Sequence, residues 1–550
     1  MNTEFFISKK IIKGDKNSSR LTKPIVFIST ISIVLGIALM IISASVITGF
    51  QQGVRDKVIG FDAHIRVTDI NENSSSESSP VLIEQDFYPE LEEDERIQKI
   101  QIYAYKPAIL QSSQDSVMIE LADKDTIESR NDILGVVFKG IDADYDWSFF
   151  SDKLIEGRLI NFETDNDEVM ISKYMADVMG YKINEKIDAF FINDDLGPKK
   201  RKFTICGIYS TGFEDFDKQF IYTQIQHIQE LNNWGVQTNI TVLDTCIKNY
   251  YVLKAKTYNG SGAYRYNWEG GYSENSYYLI NGHVPFDLKL ISTDYDLDIY
   301  LGLSPNQNSV PDTATAKIII DEPCSCSQEI LDQKPIEYKS ENEIIMPFGK
   351  INIQNGKGTH HLYTGGFEIM LKNWEDLDEM DEIIDAELPL LQMKTDKITD
   401  LYPEIFKWLK FLDMNLIIII ILILIVSMIN MVTSLLVTIL ERTNMIGILK
   451  ALGTTNSSIQ KIFMYNSFYL LSRGLILGNI LGIGLILLQH YTGFATLDPE
   501  VYYLDRVPVN ISVLHILLIN LMTIVICIVT LLIPSRIVSK ISPIKAIRFN

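Results

Sequence analysis

The segment Pro24–Phe50 has the sequence PIVFISTISIVLGIALMIISASVITGF and contains no charged side chain in 27 residues. The hydrocarbon core of a bilayer is about 30 Å thick, and a helix needs about 20 apolar residues to cross it. A cleaved signal peptide would have a shorter apolar core that ends in a small-x-small cleavage site, and this segment has neither feature. The segment therefore predicts a membrane-spanning helix over residues 24–50.

Three further segments are similarly apolar. We predict spans over residues 412–440, 462–489 and 511–534, with a loop over 490–510 between the last two. The second span contains the run NLIIIIILILIVSMINMV, which is hydrophobic on every side. This pattern is typical of a helix in lipid, because a helix on a soluble core keeps one polar face.

The charges indicate how the chain is oriented. If there are four spans, segments 1–23, 441–461 and 535–550 lie on one side of the membrane, and together they contain 13 basic and 3 acidic residues. Basic residues near span ends favour the cytoplasmic side, so we expect both termini in the cytoplasm. Residues 50–412 contain 34 basic and 63 acidic residues, which predicts an extracytoplasmic domain over 51–411. The net charge of −21 argues against nucleic-acid binding, which needs a positive field.

The large domain mixes strand and helix patterns. Val136–Ile141 and Gly366–Lys372 predict strands, Tyr222–Leu231 predicts a helix, and Asp396–Phe411 predicts another helix continuous with the second span. Between residues 233 and 361, short strand patterns are separated every few residues by Gly, Asn and Ser. The predicted fold class is therefore a membrane protein with four transmembrane α-helices and a large α+β extracytoplasmic domain that contains an inserted all-β module.

The inserted module is rich in tyrosine. The residues concerned are Tyr250, Tyr251, Tyr258, Tyr264, Tyr266, Tyr272, Tyr277 and Tyr278. Exposed tyrosines could bind a sugar or a protein. Tyrosines that pair across strands would instead stabilise a small β domain, and we favour this second interpretation.

The sequence contains no catalytic motif that we could identify. It has no G-x-x-x-x-G-K-[ST] phosphate loop, no G-x-S-x-G and no H-E-x-x-H. The pair His360–His361 has no His or Cys partner at metal-ligand spacing, so we predict no metal site, no cofactor site and no catalytic residue. An oxidising compartment would permit one or two disulfides among four cysteines of the domain, Cys206, Cys246, Cys324 and Cys326.

Arg473 is a charge inside the third predicted span. A charge in a span is costly and usually faces protein or water, which predicts an interhelical pair or a coupling contact. It lies only about ten residues into the span, so its side chain could equally extend to the cytoplasmic interface. Both interpretations stay open.

The loop between spans two and three begins ERTNMIGILKALGTTNSSIQKIF, residues 441–463. Five residues make an apolar stripe at helical spacing, namely Met445, Ile446, Ile448, Leu449 and Leu452. Gly453 suits a helix end, and the Thr and Ser residues after it suit the N-cap of the next helix. A helix this short cannot bury its apolar face alone, so it should lie on the membrane or in a groove of a partner.

Three stretches resemble the FtsX-like permeases of ABC transporters, within them the lipoprotein-releasing LolC/LolE type. Phe27–Val67 is similar to the first span and its exit, Glu441–Gly453 to the helix that contacts the ATPase, and Pro534–Phe549 to the C-terminal ending. The resemblance implies a bacterial inner membrane, with the domain of residues 51–411 in the periplasm. It implies mechanotransmission from the ATPase through the spans to the periplasmic domain, so that a lipoprotein is lifted from the membrane. It also implies several partners: a cytosolic ATPase in two copies, which binds the ATP; a second permease, identical or sister; the lipoprotein cargo; and a periplasmic carrier.

The same resemblance implies roles for particular residues. The ATPase contact falls on Glu441, Arg442, Ile446, Leu449, Lys450 and Leu452. Handling of acyl chains falls on Phe50, Phe61 and the faces of the first two spans.

Two departures from the family leave the cargo and the carrier open. The loop Ile192–Lys202, where family members have a protruding hook, is short, and the insert at 233–361 is not part of the common pattern. The alternatives are an efflux permease of the MacB type and a permease that regulates a cell-wall hydrolase.

Overall fold

The computed structural model describes most of the chain. The described residues are 4, 6–8, 22–72, 76–111, 116–121, 124–129, 133–163, 166–192, 198–232, 234–247, 249–259, 264–268, 271–281, 287–294, 313–322, 324–325, 342–346, 349–356, 358–389, 392–498, 502 and 504–535. They form two compact units. One comprises the described parts of Met1–Val58 and Tyr402–Asn550, and the other those of Ile59–Leu401.

The α-helices of the described residues are α1 (Thr22–Phe61), α2 (Phe87–Leu91), α3 (Lys173–Met179), α4 (Glu214–Asp217), α5 (Ile225–Leu231), α6 (Leu377–Glu387), α7 (Ile398–Leu401), α8 (Pro403–Glu441), α9 (Thr443–Ala451), α10 (Asn456–Thr492) and α11 (Val513–Ser535). The strands are β1 (Ile65–Asp69), β2 (Val81–Leu82), β3 (Ile97–Gln111), β4 (Ser116–Leu121), β5 (Lys124–Ser129), β6 (Ile133–Ile141), β7 (Leu154–Gly157), β8 (Glu168–Ser172), β9 (Lys186–Phe191), β10 (Lys199–Tyr209), β11 (Phe220–Gln224), β12 (Gln237–Ile247), β13 (Tyr250–Tyr258), β14 (Tyr264–Trp268), β15 (Gly271–Ser273), β16 (Tyr277–Asn281), β17 (Asp287–Asp294), β18 (Thr313–Glu322), β19 (Asn342–Met346), β20 (Gly349–Asn355), β21 (Tyr363–Thr364), β22 (Gly366–Leu371) and β23 (Met393–Lys397).

The first unit is helical. Four of its helices, α1, α8, α10 and α11, are long and apolar enough to cross a membrane, which confirms the four predicted apolar helices. A stripe of glycines on α10, Gly474, Gly478 and Gly482, faces α1 so closely that a Cβ on Gly478 would lie 2.9 Å from the Cβ of Ile37. Small residues four apart let two membrane helices approach at their backbones, so this stripe fixes the α1–α10 contact.

The second unit is built around a ring of six paired strands. Strand β3 pairs with β6, then β6 with β11, β11 with β8, β8 with β10, β10 with β9, and β9 again with β3. Three phenylalanines, Phe138, Phe191 and Phe203, are fully buried in mutual contact. The first half of β3 extends the sheet through β22 and β1 to β23.

An all-β module is inserted between β11 and β22. It consists of a three-stranded sheet (β12, β13, β16) and a six-stranded sheet (β15, β14, β17, β18, β20, β19). Residues of both sheets, including Leu253, Trp268 and Ile318, form one buried core. The chain enters beside Val236 and leaves beside Thr359, whose amide donates to the Val236 carbonyl at 3.1 Å. The mixed domain with an all-β module confirms the predicted fold class.

Two local predictions were wrong. Tyr222–Leu231 is helical only from Ile225, because Phe220–Gln224 is a fully buried strand held between β6 and β8. Asp396–Phe411 is not one helix: Asp396 lies in β23, and α7 ends at Leu401. The backbone turns at Tyr402 (φ −122°, ψ 58°) before Pro403 begins α8, since proline has no amide hydrogen to continue the preceding helix.

Candidate functional site

Helix α9 is held in a fixed position between α8 and α10. Its C-terminus is closed at Gly453 (φ +87°), where the amides of Gly453 and Thr454 donate to the carbonyls of Lys450 and Leu449, both at 3.0 Å. This pair of hydrogen bonds requires a residue in the left-handed backbone conformation, which glycine adopts without strain. Thr455 then caps α10 by accepting a hydrogen bond from the Ser458 amide. Both the glycine at the end of α9 and the N-cap of α10 were predicted from the sequence.

The two sides of α9 differ in burial. Ile446 is 0% exposed and packs in the helical core with partly buried Met445 and Leu449. On the opposite side, Ile448 is 49% exposed and Leu452 is 78% exposed. Residues four apart lie on the same side of a helix, so these two form an apolar pair directed away from their own chain.

The structure therefore divides the predicted stripe into two faces. Ile446, assigned above to the ATPase contact, is enclosed by its own chain and anchors α9. Glu441, Arg442, Leu449 and Lys450 are partly exposed, and Leu452 is the most exposed of the six. Ile448 was missing from the predicted contact; its position opposite Ile446 on the helical wheel is the signal that identifies it. Whether these residues contact an ATPase stays a prediction.

Phe50 and Phe61, predicted to handle acyl chains, are both buried. The Phe50 ring packs edge-on against Trp408 at 5.5 Å, beside Gln51, which donates to the Leu409 carbonyl at 2.9 Å. Phe61 is 2% exposed and stacks on Phe216 at 4.3 Å. In this structure both rings serve packing within the chain, because neither presents a free face.

The end of α1 meets a buried ionic network. The Lys139 ammonium donates to the Phe61 carbonyl at 3.0 Å and to the Glu368 carboxylate at 2.5 Å, and Glu368 also accepts from Gln101 at 2.8 Å. The side chains of Lys139 and Glu368 are 1% and 0% exposed. Removing one partner of such a pair costs several kcal/mol, about 3–5, since the other charge stays buried and unpaired.

A second ion pair and several aromatic rings complete this network. Asp62 and Arg66, both buried, pair beside the Tyr103 and Tyr105 rings, and the Arg66 guanidinium lies 5.2 Å from the centre of the latter. Burial raises the pKa of both tyrosines well above the ordinary range, so they stay neutral. The sequence analysis missed the network. Its signal was a single charge inside otherwise apolar strands, as in VVFKGI and GFEIML.

An apolar cavity of about 160 Å³ lies between α1, α8 and α11. The residues that line it are Met40, Ala44, Thr48, Leu416, Ile420, Leu424, His515, Leu518, Ile519 and Met522. The first, second and fourth spans each contribute a wall, and whether the faces of the first two spans handle acyl chains stays a prediction. A cavity of this composition suits an alkyl chain, because nearly all of its lining is hydrocarbon.

Arg473 points away from the helical bundle. Its side chain is exposed and forms no ion pair or hydrogen bond with the described residues. Six residues further along α10, Asn479 forms a reciprocal amide pair with Asn520 of α11, with N–O distances of 2.7 and 2.9 Å. Asn430 of α8 also donates to the Ser32 hydroxyl of α1, so the polar links between spans within the described chain include these two contacts and do not involve Arg473.

The cysteines and histidines of the described residues form no chemical site. Cys206 and Cys324 are buried and form no disulfide, and burial raises the pKa of the Cys206 thiol to about 12. The side chains of Cys246 and Cys326 lie outside the described residues. The His361 ring is 3.2 Å from the Gly358 carbonyl, and no group of three potential metal ligands occurs among the described residues.

Some tyrosines of the all-β module are buried and others are exposed. Tyr251 and Tyr266 are buried in its core, while Tyr258 and Tyr277 are exposed on the three-stranded sheet. Lys254 pairs with Tyr277 across β13 and β16, its ammonium 5.1 Å from the ring centre. Tyr251 and Tyr266 therefore serve packing of the module, and whether its exposed tyrosines bind a sugar or a protein stays a prediction.

Two regions of the chain match known protein families. A MacB-like periplasmic core domain matches residues 26–253, and an FtsX-like permease C-terminal region matches residues 417–543. The lipoprotein-releasing system transmembrane protein LolC of Neisseria meningitidis serogroup B is 30% identical over 155 residues. That alignment covers 27% of this chain and 36% of the length of the relative.

One solved structure is also similar. It is the extracellular domain of the noncanonic ABC-type transporter YknZ from Gram-positive bacteria, with 12% sequence identity and a TM-score of 0.20. The match covers 30% of this chain and 75% of that one.

Proposed function

We infer that this chain, which carries an FtsX-like permease C-terminal region and a MacB-like periplasmic core domain, is the permease subunit of an ABC transporter that releases lipoproteins from the inner membrane. A separate cytosolic ATPase, in two copies, supplies the energy, and a second permease, identical or sister, completes the complex. The observation that carries the proposal is the outward-facing pair Ile448 and Leu452 on a rigidly capped helix.

The height of α9 along α10 favours a protein partner over the membrane surface. From Ile476 to Leu488 the outer face of α10 is apolar, and the exposed ring of Tyr491 follows. Arg473 and Tyr491 are 18 residues apart, about 27 Å along a helix, which matches the hydrocarbon thickness. Asn456 precedes Arg473 by a further 17 residues, or about 25 Å. Helix α9 adjoins Asn456 and is therefore beyond the headgroup layer, where a groove of an ATPase can receive it.

The cargo assignment is supported by the cavity between α1, α8 and α11. Each methylene group that enters such a cavity from water gains about 0.8 kcal/mol, so an alkyl chain of a lipoprotein would be held there by hydrophobic burial. The same free energy per methylene group opposes the departure of the alkyl chain into water. Release of a lipid-anchored protein therefore needs an energy source, which the ATPase would supply.

The orientation follows from the same proposal. Helix α9 must face the cytosol to meet the ATPase, which places both termini in the cytoplasm and the large domain in the periplasm. The segment Ile192–Lys202, of which residues 193–197 lie outside the described residues, would be the docking site for a periplasmic carrier. Its basic end, Lys199–Lys202, begins β10, where Lys200 already pairs with Asp188 and Arg201 with Glu230.

The test is affinity purification of the tagged full chain from solubilised membranes, followed by protein and lipid mass spectrometry. We expect an ABC ATPase and acylated proteins. Ile448→Asp and Leu452→Asp should each reduce the recovered ATPase at least tenfold, because a carboxylate in an apolar groove is desolvated without a partner. Leu362→Asp, an exposed leucine of the extracytoplasmic domain, is the matched control and should change nothing.

Other outcomes would redirect the proposal. An ATPase without lipoproteins, accompanied by a tunnel protein or a cell-wall hydrolase, would indicate an efflux or hydrolase-regulating permease. Recovery of no ATPase with the unmodified chain would refute the role of α9.

A further inference from the structure

One side of α10 carries a row of polar and aromatic residues at intervals of four. Lys461, Tyr465, Tyr469 and Arg473 are all exposed. Because residues four apart in a helix lie above one another, the four side chains form a continuous stripe about 18 Å long. Among the described residues, none forms an ion pair or hydrogen bond with Arg473 or Lys461.

The stripe continues directly into an exposed apolar surface of the same helix. Ile476 and Ile480 follow Arg473 on this side and are 61% and 65% exposed. Tyr491 ends the apolar stretch, about 27 Å from Arg473 along the axis. A surface that faces hydrocarbon on one side of Arg473 should face the adjoining headgroup layer on the other side, since the helix does not change direction between them.

The residue types fit that layer. Tyr469 lies about 6 Å beyond Arg473 along the axis, within a headgroup layer about 5–8 Å deep, whereas Tyr465 and Lys461 lie about 12 and 18 Å beyond it. Tyrosine is enriched at this depth because its ring is apolar and its hydroxyl can bond to headgroups. A guanidinium binds a phosphate through two parallel N–H donors, and an ammonium adds a point charge.

We propose that this stripe is a binding site for the phosphate headgroup of an anionic phospholipid, in the leaflet at the N-terminal end of α10. Arg473 binds the phosphate, Tyr469 contacts the headgroup, and Lys461, farther from the hydrocarbon, adds positive charge at longer range. The site is independent of the ATPase and of the cargo, because it uses neither α9 nor the apolar cavity. It also explains why a charge is retained in the third span although it pairs with no neighbouring helix in the described chain.

The test measures which lipids the full chain retains. The chain is placed in nanodiscs of equimolar phosphatidylglycerol and phosphatidylcholine, released into detergent, and examined by native mass spectrometry. We expect phosphatidylglycerol to be enriched. Arg473→Gln should lower the ratio of the two retained lipids about fivefold, since one basic residue near an anionic surface contributes about 1 kcal/mol. Lys461→Gln should lower it less, and Arg473→Lys should preserve most of it.

Two controls make the result specific. Lys182→Gln removes an exposed lysine of the extracytoplasmic domain and should leave the ratio unchanged. Inorganic phosphate at millimolar concentration should not displace the lipid; if it does, the site takes a free anion and the lipid assignment is wrong. Equal retention of both lipids by the unmodified chain would also refute the proposal.

A third measurement distinguishes lipid from protein at this face. A fluorophore on Tyr469→Cys should be quenched by phospholipids brominated near the headgroup. If it is not quenched, and the cysteine instead crosslinks to a second permease or to an ATPase, the face is a protein interface and the proposal fails. Because Tyr469 is exposed, this variant stays informative even where Arg473→Gln does not fold.

Discussion

Replacing Lys139 by methionine tests the buried network at the end of α1. The change removes the cation and leaves the Glu368 carboxylate, 0% exposed, with a hydrogen bond from the Gln101 amide in place of the ion pair. Breaking one side of a buried pair costs about 3–5 kcal/mol, a large part of the roughly 5–15 kcal/mol that stabilises a typical domain. Replacing both charges, in Lys139→Met/Glu368→Leu, should restore most of this loss, because no isolated charge then remains.

The assay is urea unfolding of the full chain in detergent, followed by tryptophan fluorescence. Trp147 is a suitable reporter, since its ring lies 5.0 Å from Tyr145 and the Lys139 ammonium is 5.7 Å from that tyrosine ring. The control is Lys173→Met, which breaks an exposed pair with Asp177 and should cost about 0.2–0.5 kcal/mol. The reasoning is refuted if Lys139→Met costs no more than the control, or if the double variant is as unstable as the single one.

Three further predictions concern other parts of the chain. Burial raises the pKa of the Glu72 carboxyl from 4.5 to about 7 in the folded chain. As the pH rises from about 4.5 to 7, the unfolded chain loses this proton before the folded chain does, so the stability of the folded state falls. Glu72→Gln should therefore remove the decrease in Tm over this pH range. Asn479→Leu should lower the free energy of unfolding in detergent by about 1 kcal/mol by breaking the amide pair with Asn520, and the double leucine variant should be little worse. Asp56→Pro should interrupt α1 at an exposed position, so that ATP hydrolysis by the assembled complex continues while cargo release falls; Asp56→Ala should preserve both.

Features of short range were predictable from the sequence. Continuous apolar runs identified the four long helices, because about 20 consecutive apolar residues are what a membrane-spanning helix needs. Gly453 and Thr455 identified the ends of α9 and α10, since each acts on backbone groups a few residues away. The stripe on α9 was also visible, but which of its sides packs inward depends on α8 and α10 and not on the stripe itself.

Features of long range were not predictable. Lys139 and Glu368 are 229 positions apart, and their pairing follows from the strand order β22–β3–β6, which no local pattern encodes. The burial of Phe61 has the same origin, because its aromatic neighbours come from residues 149–150 and 213–216. Tyr222 was misassigned to a helix because its strand is buried on both faces and lacks the alternation that identifies exposed strands.

The two covalent connections between the units differ in stiffness. The first is α1, which runs without interruption from Thr22 to Phe61 across the unit boundary at Val58. The second is broken at Tyr402, where the backbone leaves the helical region before Pro403. An intact helix resists bending because each turn is held by hydrogen bonds, whereas one non-helical residue can absorb a change in direction through its two dihedral angles. The far end of α1 is also secured, since its last carbonyl accepts from the buried Lys139 ammonium. Of the two covalent connections, α1 is therefore the continuous helix, and the second is interrupted at Tyr402.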